Sequence, residues 1–298
     1  MQVATRESRV TRRIWFGLMI LLATLVVLGL AIACFGTLVG AGGGFILMPI
    51  MLLWHPEMAA DRLTALSLTM IFFNALSGTI GYARLKRIDY KAGLIFAGAA
   101  LPGAIVGTMV VDFIPRRSFD LILAGFLFFI ALFLLWRGEK RIGKRAGDPE
   151  SEDPESRPMV IGAVISVFVG FISSVLGIGG GIIHVPALVH LVRFPVHIAA
   201  ATSHFVLAIT SGAAVGILAS KGMLAGQYDH AAALSIGAVV GAQIGARLSG
   251  RIGGAFIVRA LAIAMILAAA RVAWQGWMGA GAEKTPAKQV DAPEGGGP

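Results

Sequence analysis

Two stretches carry the residue types best suited to chemistry: GAGGGFILMP at 40–49 and GIGGGIIHVP at 177–186. In each, a proline follows the last residue of a glycine triplet by five positions, inside a run apolar enough for a membrane helix. Each glycine costs a helix about 1 kcal/mol relative to alanine, so a triplet predicts unwound backbone. A proline loses no hydrogen bond in the first turn of a helix, which predicts half-helices starting near Phe45 or Ile46 and near Ile182 or Ile183. Such a start aims unpaired N–H groups and the positive end of the helix dipole at backbone bare of side chains, an anion-binding arrangement. Gly42, Gly43, Gly44, Gly179, Gly180 and Gly181 are therefore candidate binding groups. A packing role stands beside this one, since GxxxG pairs such as Gly36 to Gly40 and Gly177 to Gly181 also let helices cross closely. Neither stretch continues into Lys-Ser/Thr or shows GxGxxG, which excludes a phosphate loop.

Polar side chains follow each break, in TALSLTMIFFNALSG (64–78) and AATSHFVLAITSG (200–212). Asn74, Ser77, Thr202, Ser203 and His204 complete the expected anion shell, Asn74 and His204 because polar groups of that size need partners in a membrane. His184 and His204 are the mid-span groups that titrate near neutrality, so they are the candidates for proton coupling. Asp61, Asp89, Asp112 and Asp229 lie at the edges of apolar runs, so a carboxylate sodium site or an acidic proton relay has no support. No catalytic residue, metal site or cofactor is expected. A competing reading is an intramembrane serine hydrolase using Ser203 or Ser211 with a histidine. It suffers because His204 points about 100° around a helix from Ser203 and no G-x-S-G is present. An anion channel is a third reading.

The elements that must position these groups are membrane helices. Of the 298 residues, 57% are hydrophobic and 14% charged, outside the range of soluble domains. A helix needs about 20 residues to cross roughly 30 Å of hydrocarbon, and eight runs suffice: 14–35, 64–82, 92–111, 118–136, 159–192, 198–219, 229–248 and 254–274. The expected fold is an all-α polytopic membrane protein of about eight transmembrane helices. The net charge of +9 lies in the connections between the runs, so it reads as orientation in the bilayer and not as nucleic-acid binding. Cys34 is the single cysteine and excludes an intrachain disulfide.

The two breaks match at an offset of 137, and Tyr90, Ala99, Gly103 and Gly107 recur at an offset of 138 as Tyr228, Gly237, Gly241 and Gly245. The chain therefore reads as a duplicated four-helix unit. Its parts are a basic cytoplasmic N-terminus (1–13), a first repeat (14–136), a charged cytoplasmic linker (137–158), a second repeat (159–274) and a disordered tail (275–298). With four spans per unit, both copies would enter from the same side, related by an axis along the membrane normal, with both termini cytoplasmic. Alternate assignment of the connections places 18 Lys and Arg inside and 7 outside. Small residues spaced by four (Ala99, Gly103, Gly107; Gly237, Gly241, Gly245, Ser249) read as a packing face.

The paired G-x-G-G-G...P motifs, the ALSL...NALSG run, the duplication and the length resemble the TauE/SafE family, also called the sulfite exporter or TSUP family, over residues 14–274. The resemblance implies a multi-pass permease of the bacterial inner membrane for small sulfur-containing anions such as sulfite, sulfoacetate or other organosulfonates. The expected partners are a small anionic substrate and membrane lipid, and a homo-oligomer is compatible with the pattern. The second half departs from the first, with His184 and His204 standing where the first has Leu47 and Leu68.

Overall fold

A computed structural model of the chain describes residues 2–145, 158–249, 262, 263 and 265–274, and these are all-helical, with no strand among them. The helices are α1 (Gln2–Val39), α2 (Gly44–Trp54), α3 (Ala60–Arg84), α4 (Tyr90–Val110), α5 (Arg116–Arg145), α6 (Met159–Leu176), α7 (Gly181–His190), α8 (Val196–Ser220), α9 (Tyr228–Leu248) and α10 (Met265–Trp274). Six stretches among the described residues are long and apolar enough to cross a bilayer: Trp15–Val39, Ala60–Arg84, Tyr90–Phe113, Met159–Leu176, Val196–Ser220 and Tyr228–Leu248. The last expected run, 254–274, and the linker, 137–158, lie partly outside the described residues, and the tail, 275–298, lies wholly outside them.

The glycine triplets do interrupt the helices. Gly40, Gly42 and Gly43 adopt φ of 81°, 79° and 82°, and Gly177 and Gly179 adopt 61° and 78°, a region that side chains disfavour. The short helices start at Gly44 and Gly181, one or two residues earlier than expected. Pro49 and Pro186 are consequently the sixth residues of α2 and α7, beyond the first turn. The carbonyls of Phe45 and Ile182 therefore lose their i+4 donors, and the proline does not mark the helix start as the sequence reading supposed.

Residue contacts fix the directions of the helices. Carbonyls of Val26, Leu30 and Cys34 on α1 cover Gly237, Gly241 and Gly245 on α9, so these helices are parallel. Carbonyls of Val167 and Phe171 on α6 cover Gly103 and Gly107 on α4 in the same way. Here the small-residue face serves close backbone approach. Ser77 meets Val239 and Gly81 meets Ala246, so α3 also runs with α9. In contrast, Gly78 meets His204 and Gly212 meets Phe72, which makes α3 and α8 antiparallel. The tight turn at 85–89 reverses the chain between α3 and α4.

Therefore α1, α3 and α9 run one way, and α4, α6 and α8 the other. This overturns the expected axis along the membrane normal. The physical reason is that each half-helix doubles back: Gly44 packs beside Ile71, midway along α3, while the far end of α2 returns to the level where α3 starts. There Arg116 binds the carbonyls of Met58 and Leu52 and pairs with Asp120 at 2.9 Å. The start of α6 at Met159 therefore lies at the end of the bundle opposite the start of α1.

Two polar ties close the ends of the bundle. At the end where α1 starts, Lys221 after α8 pairs with Asp112 after α4 at 2.5 Å. At the other end, Arg87 after α3 donates to Ser249 after α9 at 3.3 Å.

Candidate functional site

The two glycine breaks cross in direct backbone contact. A Cβ on Gly44 would lie 2.7 Å from the Ile178 carbonyl carbon, and one on Gly181 would overlap the Gly40 carbonyl oxygen and lie 2.7 Å from Ala41 Cα. The starts of α2 and α7 thus meet head to head, bringing two positive dipole ends together. Among the described residues, the cavity beside the breaks is lined by the second break and not by the first. Around the first, apolar side chains fill the space: Ile32 faces Gly43, Ile71 faces Gly44, and Leu207 faces Gly42.

The second break borders a cavity of about 10 Å³, room for about one water molecule. Gly180, Gly181 and His184 line it from the break and α7, Ser166 and Ser173 from α6, and Ser203, Leu207 and Thr210 from α8. The α7 ladder starts with Ile183 and His184 N–H donating to the Gly180 carbonyl at 3.2 and 2.9 Å, so the N–H groups of Gly181 and Ile182 precede it. Ser166 donates to its own helix at Gly162 (2.7 Å) and so accepts from His184 Nε2–H at 3.0 Å. That hydroxyl points its proton at backbone and the imidazole gives one away, the reverse of a nucleophile and its base. Ser203 is 1% exposed, and its Oγ has no partner among the described residues. No charged side chain lines the cavity.

Of the expected site residues, Gly180, Gly181, Ser203 and His184 come together here. Gly179 packs 3.2 Å from the Ala41 carbonyl, measured from an added Cβ. Thr202 accepts from the Asp89 N–H at 3.1 Å, and Ser77 donates to the Val239 carbonyl at 2.7 Å while Gln243 donates to Ser77. Both tie helices together away from the cavity. Asn74 and His204 belong to a third cluster: Asn74 Nδ2 donates to the Gly42 carbonyl (2.7 Å), Thr37 donates to Asn74 Oδ1 (2.7 Å), and His204 Nε2 lies 3.3 Å from Thr37 Oγ1. Tyr82 donates to the Thr37 carbonyl at 2.6 Å. This cluster clamps the first break.

Sequence reasoning missed Ser166 and Ser173, and left Thr210 out of the shell. The signal was available, since Ser166, Gly170 and Ser173 recur every three or four positions along one face of an otherwise apolar helix.

Membrane-length helices interrupted by two crossed half-helices define a multi-pass membrane protein. The description "Sulfite exporter TauE/SafE" matches residues 25–272, and the chain belongs to this family. It is 33% identical over 205 residues, 63% of this chain and 74% of the relative, to the probable membrane transporter protein YunE of Bacillus subtilis (strain 168). It is 28% identical over 203 residues, 66% of this chain and 72% of the relative, to the probable membrane transporter protein MJ0441 of Methanocaldococcus jannaschii. No solved structure matches. The serine-hydrolase reading is set aside, because these relatives are membrane transporters and not enzymes.

Proposed function

We propose that this transporter carries small sulfur-containing oxyanions, such as sulfite, sulfoacetate or other organosulfonates, across the bacterial inner membrane by alternating access. The anion would sit at the second glycine break. The observation that carries this reading is the cavity itself: Ser173, the unpartnered Ser203, the Ser166–His184 pair and the start of α7 line it, with no carboxylate among the described lining residues, while Thr210 donates to the Val206 carbonyl of its own helix. N–H groups at a helix start and hydroxyl donors solvate oxyanion oxygens without a neutralising cation.

In this proposal α5 and the run ending in α10 join the six membrane-length stretches to make eight crossing helices, in two copies of one unit. The opposed directions of α1 and α6 support an inverted pair related by an axis in the membrane plane, the arrangement used by many secondary transporters. Gly180, Gly181, Ser203 and His184 hold the anion, while Gly42, Gly43, Gly44, Gly179, Asn74, Ser77 and Thr202 shape the scaffold around it.

Proteoliposomes preloaded with labelled sulfite or sulfoacetate test the substrate. Exit faster than from protein-free vesicles is expected, and equal rates for both anions reject the substrate class.

A further inference from the structure

The hydrogen-bond chain at the first break determines where each proton sits. The Gly42 carbonyl can only accept, so the group 2.7 Å away is the Asn74 NH2, which turns Asn74 Oδ1 toward Thr37. Oδ1 can only accept, so Thr37 gives it its hydroxyl proton at 2.7 Å. The Thr37 oxygen is then an acceptor for His204, and Nε2, at 3.3 Å, carries the imidazole proton. Nδ1 is left bare. It is buried in a side chain with no exposure and makes no hydrogen bond among the described residues, although the backbone carbonyls of Ala200 and Gly40 lie beside the ring. A buried acceptor without a donor is poorly placed, whereas an N–H there could donate to the backbone that interacts with the ring at Ala200 and Gly40.

We propose that His204 Nδ1 is the proton-binding site that couples transport to the proton gradient. The neutral ring takes one proton from water on the side that is open, becomes an imidazolium donating from Nε2 to Thr37 and from Nδ1 to the backbone at Gly40, and releases that proton on the other side. Its charge offsets one negative charge of the anion. This rests on the transport reading above and deepens it, because α8 then carries the anion site on one face through Ser203 and Thr210 and the proton site on the adjoining face. The second buried histidine, His184, is committed to Ser166 on the cavity side of α8. The titratable and charged groups around His204 are few. Tyr82 of α3 meets its ring edge-on at 5.6 Å, and Arg87 lies near both Tyr82 and His197. α1 presents the hydroxyl of Thr37.

The test uses proteoliposomes of the full chain with labelled sulfoacetate, a pH gradient of one unit and the membrane potential clamped to zero. At zero potential, one proton coupled to each anion would sustain an anion ratio of about tenfold in the wild type, whereas His204→Gln would equilibrate the anion to a ratio near one. A variant that concentrates the anion like the wild type overturns the proposal and leaves the transport reading intact. If the wild type carries no anion, the transport reading fails first. For that case, or for a variant that is inactive, nitrogen NMR of the histidine-labelled wild-type chain decides the proton site, with the His204 signal assigned through its contact with Tyr82. A bare Nδ1 at pH 8 that becomes protonated on acidification supports it. An Nδ1 already protonated at pH 8, or still bare at pH 5, overturns it.

Discussion

Asn74 grips the tip of the first glycine break: its amide donates to the Gly42 carbonyl at 2.7 Å while its oxygen accepts from Thr37 at 2.7 Å. Asn74→Ala leaves the buried Gly42 carbonyl without this donor and the Thr37 hydroxyl proton without its acceptor, each worth about 1–3 kcal/mol. A lower thermal midpoint in detergent is expected, larger than for truncation of any exposed polar residue. An unchanged midpoint would remove the clamp from the account.

The crossing of the two breaks predicts a strict glycine requirement at one position and none at another. Gly181→Ala would drive a methyl group into the Gly40 carbonyl, whereas Gly98→Ala adds one to a helix position with nothing within 4 Å. The first should abolish folding or transport. The second should be neutral or stabilise by up to about 1 kcal/mol, because alanine is the better helix former. Expression and melting of the pair give the comparison.

Two serines at related positions should separate stability from binding. Ser67 donates to the Gly177 carbonyl at 2.6 Å, so Ser67→Ala should cost about 1 kcal/mol of stability. Ser203 has no partner among the described residues, so Ser203→Ala should leave stability unchanged or raised while weakening anion affinity roughly tenfold, the loss of one charge-assisted hydrogen bond. Melting curves and concentration-dependent flux separate the two effects.

Opposed helix directions predict sidedness. In a Cys34→Ser background, single cysteines introduced as Glu57→Cys, just before α3, and His197→Cys, at the start of α8, should react from opposite faces with a membrane-impermeant maleimide. Only one should be labelled in intact cells, and both after lysis. Labelling of both from one face would restore the parallel arrangement.

His55, at the end of α2, has its pKa lowered by burial and then by the nearby His230, whose ring lies 5.8 Å away. A folded-state pKa below the unfolded value of about 6.5 means that the unfolded chain binds more protons in this range. That share of stability is present above about pH 6.5 and declines as the pH falls. His55→Gln should flatten this part of a pH-dependent melting series.

Much of this was readable from residue types. Glycine triplets announce broken helices because their backbone cost is local, and the half-helices do start at Gly44 and Gly181. The need of Asn74 and His204 for partners was equally local, although the partners, Thr37 and the Gly42 carbonyl, were not. Direction was misread because it depends on parity. The charge count treats every connection as a full crossing, whereas α2 returns the chain to the end of the bundle where α1 and α3 both start. The filling of the first break was illegible for another reason: Ile32, Ile71 and Leu207 come from three helices and meet only in the fold.

Leu207 belongs to both halves of the site, since it lines the cavity and fills the notch left by the missing side chain of Gly42. An oxyanion of four or more heavy atoms needs more space than one water molecule, so entry must push back a wall, and the tightly packed surroundings give that wall little slack. If Leu207 yields, it presses on the turn above α2. Cargo size would then be felt as a mechanical load on the opposite break, like a key lifting a pin, and a side chain of different bulk at 207 should reset which anions are large enough to turn the lock.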